Sequence, residues 1–265
     1  MLEQLHRLVR AHGSGRAAGL LRIIIGADCL IRAVEGWSIL NAVVRWPLRF
    51  PYDVGMAPMT VDAVAPFCIT WTVTAALFSI GLLTRAAGVV LATVLLYALF
   101  IDQQTYSNHQ LLLGIVVLLL VWADSGSELS VDSRLRGSRP IPMWPVFLLK
   151  VQLSIVYFFS AIAKVNATYL SGVVIYGSLR DSGPFALPAA LRQPPVLATM
   201  AVMTIVVELF LSVAFWSAVW RKRAAVIGVA FHIGLVLLML PSQSMLLLVF
   251  GIAMMGLYLL FFDWG

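Results

Sequence analysis

Charged residues are scarce in this chain of 265 residues: they make up 11% of it, whereas hydrophobic residues make up 61%. Soluble domains carry about 25% charged residues, so this chain has too little polar surface to fold in water. The scarcity excludes an ordinary soluble enzyme or binding module. We therefore expect an all-α integral membrane protein in contact with the lipid bilayer.

Cysteines and metal-binding motifs are also few. The two cysteines, Cys29 and Cys68, both lie in apolar runs, which favours packing over a disulfide framework. Outside the N-terminal segment the histidines are His109 and His232, and the chain has no HxxxH, CxxC or HExxH spacing. We expect no metal, with a haem held between the helices of these two histidines as the alternative.

The formal net charge of +6 does not come with a basic stripe of interleaved aromatic residues, so no nucleic-acid partner is expected. An excess of Lys and Arg on cytoplasmic loops explains the charge more simply. Residues 1–17 form a basic segment in which Leu2, Leu5 and Val9 recur at helical spacing. This pattern predicts a short amphipathic helix on the membrane surface, with a frayed basic tail as the alternative.

Apolar segments that approach the length of a membrane-spanning helix, about 20 residues, recur along the rest of the chain. They lie at residues 18–40, 62–83, 86–102, 107–123, 144–163, 196–219, 224–240 and 243–262. No internal repeat and no long connection suggests a second domain. We predict one transmembrane domain over residues 18–265, a polytopic bundle of about eight helices.

The basic residues predict the orientation of this bundle. Ten lie in connections on the side of the N-terminus and five lie in connections on the opposite side. The positive-inside rule then places both termini in the cytoplasm, in the plasma membrane of a bacterial-type cell. His109 and Lys164 both fall at the external ends of their helices, so a site built on them would face the external side.

The fourth segment has an apolar run of only 13 residues, 111–123. A run of that length is roughly 20 Å of helix, which is shorter than the bilayer core of about 30 Å. Tyr106, Asn108 and His109 are therefore expected at membrane depth, where polar groups usually line a cavity rather than face lipid.

The fifth segment carries Tyr157, Ser160 and Lys164 on one helical face. Lys164 alone can simply extend to the lipid headgroups, but the polar residues of the fourth segment favour a chemical role. His232 has no polar neighbour in sequence, and a hydrogen-bonded core histidine is the plain alternative to a catalytic one.

Ionisable residues inside the membrane are costly and are usually paired. In the first segment Asp28 and Arg32 stand four residues apart, and Glu35 follows Arg32 by three, so a structural ion-pair cluster is expected there. An anchor for an acidic substrate group is the alternative. Glu208 lies in the middle of the sixth segment, and we expect Arg22 or Arg32 to be its partner.

Five stretches occur in an order that resembles the horizontally transferred transmembrane domain (HTTM) family, the membrane domain shared with vitamin K-dependent gamma-carboxylases. The resemblance covers about residues 16–262 and rests on an ordered set of motifs. The stretches are RIIIGADCLIR, PYDVGMAP, SNHQLLLG, QLSIVYFFSAIAKVNATYLSG and FHIGLVLLM.

The resemblance implies a function and a set of site residues. Lys164 matches the carboxylase lysine that deprotonates the reduced quinone, His109 matches a histidine linked to carbanion formation and carboxylation, and His232 matches a later membrane histidine. The implied substrates are a menaquinone or vitamin K-type hydroquinone, O2 and CO2. Asn108, Tyr157, Ser160 and Tyr106 are then candidates to contact the quinone. Arg22, Asp28, Arg32 and Glu208 are expected to be structural polar residues.

The chain also departs from the carboxylase pattern. Ala163 stands where a second lysine is expected, and Asn166 and Tyr169 replace an acidic residue and a tryptophan. A large extramembrane C-terminal domain is also missing, which puts the use of a peptide glutamate in doubt. The leading hypothesis is a compact quinol- and oxygen-dependent enzyme of carboxylase or epoxidase type. The alternatives are a non-catalytic membrane subunit or maturation factor that binds quinone or a small secreted peptide, and a solute transporter.

Overall fold

A computed structural model describes residues 10–52 and 58–264 of the chain. Nearly all of its regular structure is helical. The predicted surface helix with Leu2, Leu5 and Val9 lies outside the described residues. The helices are α1 (Arg16–Arg45), α2 (Val61–Ile80), α3 (Thr84–Ala98), α4 (Asn108–Trp122), α5 (Val131–Arg136), α6 (Met143–Ala163), α7 (Ala167–Leu170), α8 (Val173–Ser178), α9 (Pro194–Ala214), α10 (Arg221–Leu238) and α11 (Pro241–Tyr258).

Each of the eight predicted apolar segments is a helix, and the short helices α5, α7 and α8 lie in the connections between them. Among the described residues, three helices are long and apolar enough to cross a membrane, namely α2, α6 and α9. Shorter apolar helices are α3, α4 and the stretch Met245–Phe261. The all-helical membrane class is therefore supported, whereas eight crossings and cytoplasmic termini stay predictions.

Helix α9 shows how these helices distribute polarity. Glu208 and Ser212 are 5% and 4% exposed, while Val213 on the same helix is 65% exposed. Soluble proteins bury their aliphatic side chains and expose their carboxylates. The reverse arrangement is expected of a helix that presents its apolar side chains to lipid and its polar ones to other helices.

The described residues fall into two compact units, one within Met1–Leu149 and Phe262–Gly265 and the other formed by Lys150–Phe261. The boundary lies inside α6. A single transmembrane domain over residues 18–265 stays a prediction, and each unit is described by itself below.

In the first unit α1 packs along α2, α2 along α3, and α3 along α4. Glycines allow the helices to approach closely. A Cβ atom on Gly26 would lie 2.6 Å from the Cα of Ser79, and one on Gly88 would lie 2.4 Å from the Cγ2 of Val121. Two short strands, His12–Gly13 and Ile141–Pro142, pair in antiparallel fashion beside these helices.

In the second unit α9 contacts α7, α8 and α10, and α10 packs along α11. The chain leaves α6 at Ala163 and turns into α7, whose start is capped by the side chain of Asn166. Gly172 then turns the chain into α8 with a left-handed φ of 81°, where a Cβ atom would meet the backbone of Leu197 at 2.6 Å. This turn keeps the segment after Lys164 against α9.

Candidate functional site

Lys164 is the first residue after α6, and its side chain extends back along the helix. Its Nζ atom lies 3.1 Å from the carbonyl oxygen of Ser160 and 2.5 Å from the Ser160 hydroxyl. The same atom lies 2.9 Å from both carboxylate oxygens of Glu208 on α9. The ammonium thus has three kinds of acceptor at one point and does not simply extend towards the headgroups.

Glu208 completes this cluster. Its carboxylate also accepts a hydrogen bond of 2.9 Å from the Ser160 hydroxyl. The Glu208 side chain is 7% exposed and that of Lys164 is 24% exposed. Because little water reaches this pair, the loss of hydration makes separate charges costly there. The Lys164–Glu208 pair therefore brings an amine nitrogen and a carboxylate into direct contact at a place with little solvent.

The partner expected for Glu208 was wrong. Arg22 and Arg32 belong to the first unit and have acceptors there, whereas Lys164 is the cation that contacts Glu208. The sequence shows how deep each charge lies in its apolar segment, but it does not show which helices are neighbours. Lys164, placed at a helix end, was therefore not considered as a partner for a carboxylate in mid-helix.

A second hydrogen-bonded group lies on α6, α10 and α11. The Tyr157 hydroxyl lies 2.9 Å from Nε2 of His232 and also contacts the hydroxyl of Tyr258. All three side chains are at most 3% exposed. His232 is thus hydrogen-bonded in the interior of the unit, and Tyr157, from the predicted polar face of α6, supplies that bond.

Two glycines leave the space for this group. A Cβ atom on Gly228 would lie 2.3 Å from the Tyr258 hydroxyl, and one on Gly251 would lie 3.3 Å from the Cβ of His232. The Tyr258 ring stacks on Phe215 with centroids 4.5 Å apart. Sequence reasoning missed Tyr258, although a hydroxyl inside an apolar helix needs a partner and so offered a signal.

Two of the departures from the carboxylase pattern have local structural roles. The side-chain oxygen of Asn166 accepts a hydrogen bond of 2.9 Å from the backbone of Tyr169 and so caps α7. The Tyr169 ring lies 5.9 Å from the Nζ atom of Lys164. An aromatic face at this distance stabilises a cation, so the tyrosine still lies against Lys164.

The first unit holds the polar residues of α1. The Arg32 guanidinium contacts the Glu35 carboxylate, and its Nη2 atom donates a 3.0 Å hydrogen bond to Gln110. Gln110, which the sequence did not single out, also donates to the carbonyl of Leu95 at 2.9 Å. The predicted pair of Arg32 and Glu35 is confirmed, and its extension to α4 through Gln110 was missed.

Asp28 and Arg22 differ from expectation. Among the described residues neither carboxylate oxygen of Asp28 has a hydrogen-bond partner, so the expected pair with Arg32 does not form. Arg22 is fully buried and donates from Nη2 to the carbonyl of Leu129 at 2.6 Å. Its guanidinium fills the turn at Gly81, where a Cβ atom would overlap it. Arg22 thus fixes a turn of the first unit.

The motif at residues 106–109 opens α4, which begins at Asn108 as expected. The Tyr106 hydroxyl donates a 2.9 Å hydrogen bond to the side-chain oxygen of Asn108, and both residues are exposed. His109 lies close enough to Arg32 and Glu35 to interact with both charges. His109 and Lys164 lie in different units, so a site built on both of them stays a prediction.

Within the described residues no group of three His, Cys, Asp or Glu side chains is placed to hold a metal ion. Cys29 and Cys68 are both buried as free thiols. The expectation that the protein needs no metal stays a prediction. The side chains around Lys164 and Tyr157 supply amine, carboxylate, phenol and imidazole groups.

A comparison with protein families identifies the family of the chain. A family model described as the HTTM domain matches residues 14–264, which is nearly the whole chain. The chain belongs to the HTTM domain family. HTTM is the family of the membrane domain of the vitamin K-dependent carboxylases, so this protein is a relative of that membrane domain. No solved structure matches the chain.

The candidate site residues of this HTTM protein fall into two sets, one in each unit. The second unit holds Lys164, Ser160 and Glu208, together with Tyr157 and His232 on the same helices or their neighbours. The first unit holds His109, Asn108 and Tyr106 at the start of α4, together with the α1 cluster.

Proposed function

We propose that this HTTM protein is a membrane-embedded enzyme that couples oxidation of a reduced quinone by O2 to proton abstraction from a second substrate. The observation that carries the proposal is the contact between the Lys164 amine and both oxygens of Glu208, at 2.9 Å. If CO2 then adds to the deprotonated second substrate, the enzyme acts as a carboxylase.

The Lys164–Glu208 pair is suited to accept a proton as a unit. In the reactive form of the pair the Lys164 amine is neutral and the Glu208 carboxyl group holds the proton, so the net charge is zero. After it takes one proton from a hydroxyl, the pair holds an ammonium beside a carboxylic acid and carries a charge of +1. That charge stabilises the anion left behind, and in a site with little water the stabilisation is large.

The surroundings of Lys164 fit a lipid-soluble phenol. The lysine side chain is 24% exposed, so it is only partly enclosed by the unit. Exposed apolar residues flank it: Phe159, Ile162 and Val165 are between 48% and 62% exposed. Such residues are expected to face lipid, which is where a quinone with an apolar tail dissolves. The aromatic ring of Tyr169, which lies against the amine, adds to the apolar surface around Lys164.

A reduced quinone supplies the redox chemistry: with O2 it yields the quinone epoxide and water, and this reaction produces a base strong enough to abstract a carbon-bound proton. The chain's own groups bind the hydroxyl and remove its proton at Lys164 Nζ, which becomes an ammonium beside the Glu208 carboxylic acid. The Ser160 hydroxyl, which contacts both groups, fixes their orientation.

Tyr157 and His232 are proposed as positioning residues of the same unit. The Tyr157 hydroxyl holds Nε2 of His232 at 2.9 Å and lies on α6 seven residues before Lys164. His109 is proposed to act in the carboxylation step, because it is the histidine that matches the carboxylase motif. Its neighbours Arg32 and Glu35 fix the charge around it.

The test is substitution of Lys164 by a residue that keeps the charge but cannot release its proton. Arginine stays protonated in proteins, so Lys164→Arg should lower turnover by roughly a hundredfold to ten-thousandfold, the range of general-base catalysis. Glu208→Gln should also lower turnover, since the amide cannot accept the proton. Lys150→Arg is the matched control, because it makes the same change on the same helix.

Turnover is measured as oxygen-dependent epoxide formation from reduced vitamin K or menaquinone, with purified protein in lipid nanodiscs. Full activity of the arginine variant would remove Lys164 from the role of base. A wild-type protein that binds the quinone without forming epoxide would contradict the enzyme and favour a non-catalytic quinone- or peptide-binding subunit.

A further inference from the structure

A cleft of about 220 Å³ lies in the first unit, where α2 has ended, α3 begins and α4 has ended. Its charged side chains come from three segments: Arg85 at the start of α3, Asp124 after α4, and Asp132, Arg136 and Arg139 in and after α5. The cleft is remote in sequence from Lys164 and plays no part in the proposed reaction. Three arginines face two aspartates in it.

Asp132 accepts three hydrogen bonds from donors of the protein. One carboxylate oxygen accepts hydrogen bonds of 2.7 Å from the backbone and the hydroxyl of Thr84, and the other accepts one of 3.0 Å from the backbone of Leu83. Burial opposes ionisation, but these hydrogen bonds and the charge of Arg136 prevail and hold the pKa of Asp132 below its ordinary value. Asp132 is thus an ionised helix cap for α3 that already accepts three hydrogen bonds.

Asp124 is occupied in the same way. Its carboxylate accepts a 3.1 Å contact from Nε of Arg85, a 3.2 Å contact from Nη2 of Arg139 and a 2.9 Å hydrogen bond from Ser127. The aspartate holds both arginines at the cleft through one nitrogen each. A guanidinium carries five N–H donors, so most donors of Arg85 and Arg139 are available to a ligand.

Arg136 is the third cation. Its guanidinium lines the cleft and, within the described residues, forms no hydrogen bond or ion pair, although its charge acts on Asp132. Both acids are occupied, so the donors that point to an incoming group belong to arginines. Arginine binds phosphate oxygens with paired, charge-assisted hydrogen bonds. The cleft therefore favours an anion with several oxygens.

The backbone around the cleft is strained. Leu83 and Asp124, both lining residues, have φ angles of 51°, in the left-handed region that side chains other than glycine rarely adopt. Strain of this kind concentrates at functional sites, where surrounding contacts maintain it. At Asp124 it places the carboxylate between the two arginines, and at Leu83 it leaves a leucine 55% exposed at the edge of the cleft.

The C-terminal ends of α2 and α4 and the N-terminal end of α3 all lie beside the cleft. With these three helices in the bilayer, the cleft therefore lies at the level of the lipid headgroups. Apolar and aromatic side chains support this level. Leu135 on α5 is 73% exposed, and Trp122 at the end of α4 packs against Trp144 with ring centroids 5.8 Å apart. Tryptophans are enriched at the membrane interface. A bound headgroup would have its acyl chains beside exposed leucines.

We propose that the cleft formed by Arg85, Arg136 and Arg139 binds a phosphate group, presented by the headgroup of an anionic phospholipid or by a free phosphorylated solute. The basic bias of the chain assigns this face to the cytoplasm, where anionic lipids provide such headgroups. Arg136 provides the donors that no protein acceptor uses, and Asp124 holds the other two arginines in place.

The test compares Arg136→Gln with Arg134→Gln. Both arginines are exposed and lie on α5, but only Arg136 lines the cleft, so the second variant controls for the loss of charge. Purified full-chain protein in neutral detergent is titrated with phosphatidylglycerol, with glycerol phosphate and with inorganic phosphate, and phosphatidylcholine serves as the neutral lipid. The midpoint of thermal unfolding reports binding, because a ligand of the folded state raises it.

We expect a saturable rise in the midpoint of the wild type and of Arg134→Gln, with an apparent affinity about tenfold weaker for Arg136→Gln, the scale of one charge-assisted hydrogen bond. A rise with phosphatidylglycerol alone identifies a lipid headgroup as the ligand. An equal rise with glycerol phosphate or inorganic phosphate identifies a free solute. Equal weakening in both variants, or no saturable rise with any of the three, overturns the proposal.

Discussion

At the scale of single residues, Tyr157 connects more of the second unit than its position in an apolar helix implies. Its hydroxyl contacts His232 and Tyr258, so one oxygen satisfies polar groups on two other helices. A buried polar group that loses its only partner costs more than the net value of the bond itself. His232 and Tyr258 therefore both depend on the hydroxyl of Tyr157.

This dependence predicts a difference between two hydroxyl deletions. Tyr157→Phe removes the shared hydroxyl and should lower the free energy of unfolding by about 1–3 kcal/mol, since buried polar groups lose their partner. Tyr258→Phe keeps the bond between Tyr157 and His232 and should cost less. Chemical unfolding in detergent micelles measures both variants. If both variants lost the same free energy of unfolding, the hydroxyl of Tyr157 would not be the oxygen on which the other two side chains depend.

At the scale of helices, α1 and α2 are held together by small residues. The Cβ position of Gly26 would overlap the backbone of Ser79, and that of Gly36 would lie 2.8 Å from the ring of Trp71. Apolar burial does not drive helices together in lipid, so association depends on close van der Waals contact. Glycines along the contact allow that approach.

Two glycine substitutions test this packing. Gly26→Ala should destabilise the protein by about 1–3 kcal/mol, because backbone atoms of Ser79 must move. Gly234→Ala is the control: it also lies in a helix, but nothing lies within 4 Å of its Cβ position, so the better helix propensity of alanine should act alone. Thermal unfolding in nanodiscs measures both. If Gly26→Ala were as stable as Gly234→Ala, the close contact of α1 with α2 would be contradicted.

Much of the helical structure was predictable from the sequence, and the partners of the polar residues were not. Long apolar runs predicted all eight long helices, and the Asn-His pair marked the start of α4. The face of Tyr157, Ser160 and Lys164 follows from helical spacing alone. Glu208 was assigned to the wrong cation because partners on different helices are set by tertiary packing, which no local pattern encodes.

At the scale of the whole molecule, the orientation in the membrane determines which side each site faces. The positive-inside bias of the basic residues predicts that α5 and the arginine cleft face the cytoplasm and that the segment after Lys164 faces the external side. An external site at Lys164 would receive its quinone from the bilayer and a peptide from the external side. The arginine cleft would receive cytoplasmic ligands.

Cysteine labelling in intact cells tests this orientation. A cysteine at Ser171 should react with an impermeant thiol reagent added outside, and one at Ser138 should react only after the cells are opened. Both positions are exposed, so access depends on the side of the membrane. The native thiols of Cys29 and Cys68 are buried and give a low background. Labelling of Ser138 alone would invert the topology.

The pairing of Lys164 with Glu208 also bears on how the chain is made. Ribosomes synthesise α6 before α9, so the amine is already at the membrane when the carboxylate of α9 leaves the ribosome. An unpartnered carboxylate in mid-helix opposes insertion by roughly 2.5–3.5 kcal/mol, and an amine already at the membrane offers this carboxylate a partner. The order of the helices along the gene therefore lets an earlier helix assist the insertion of a later one.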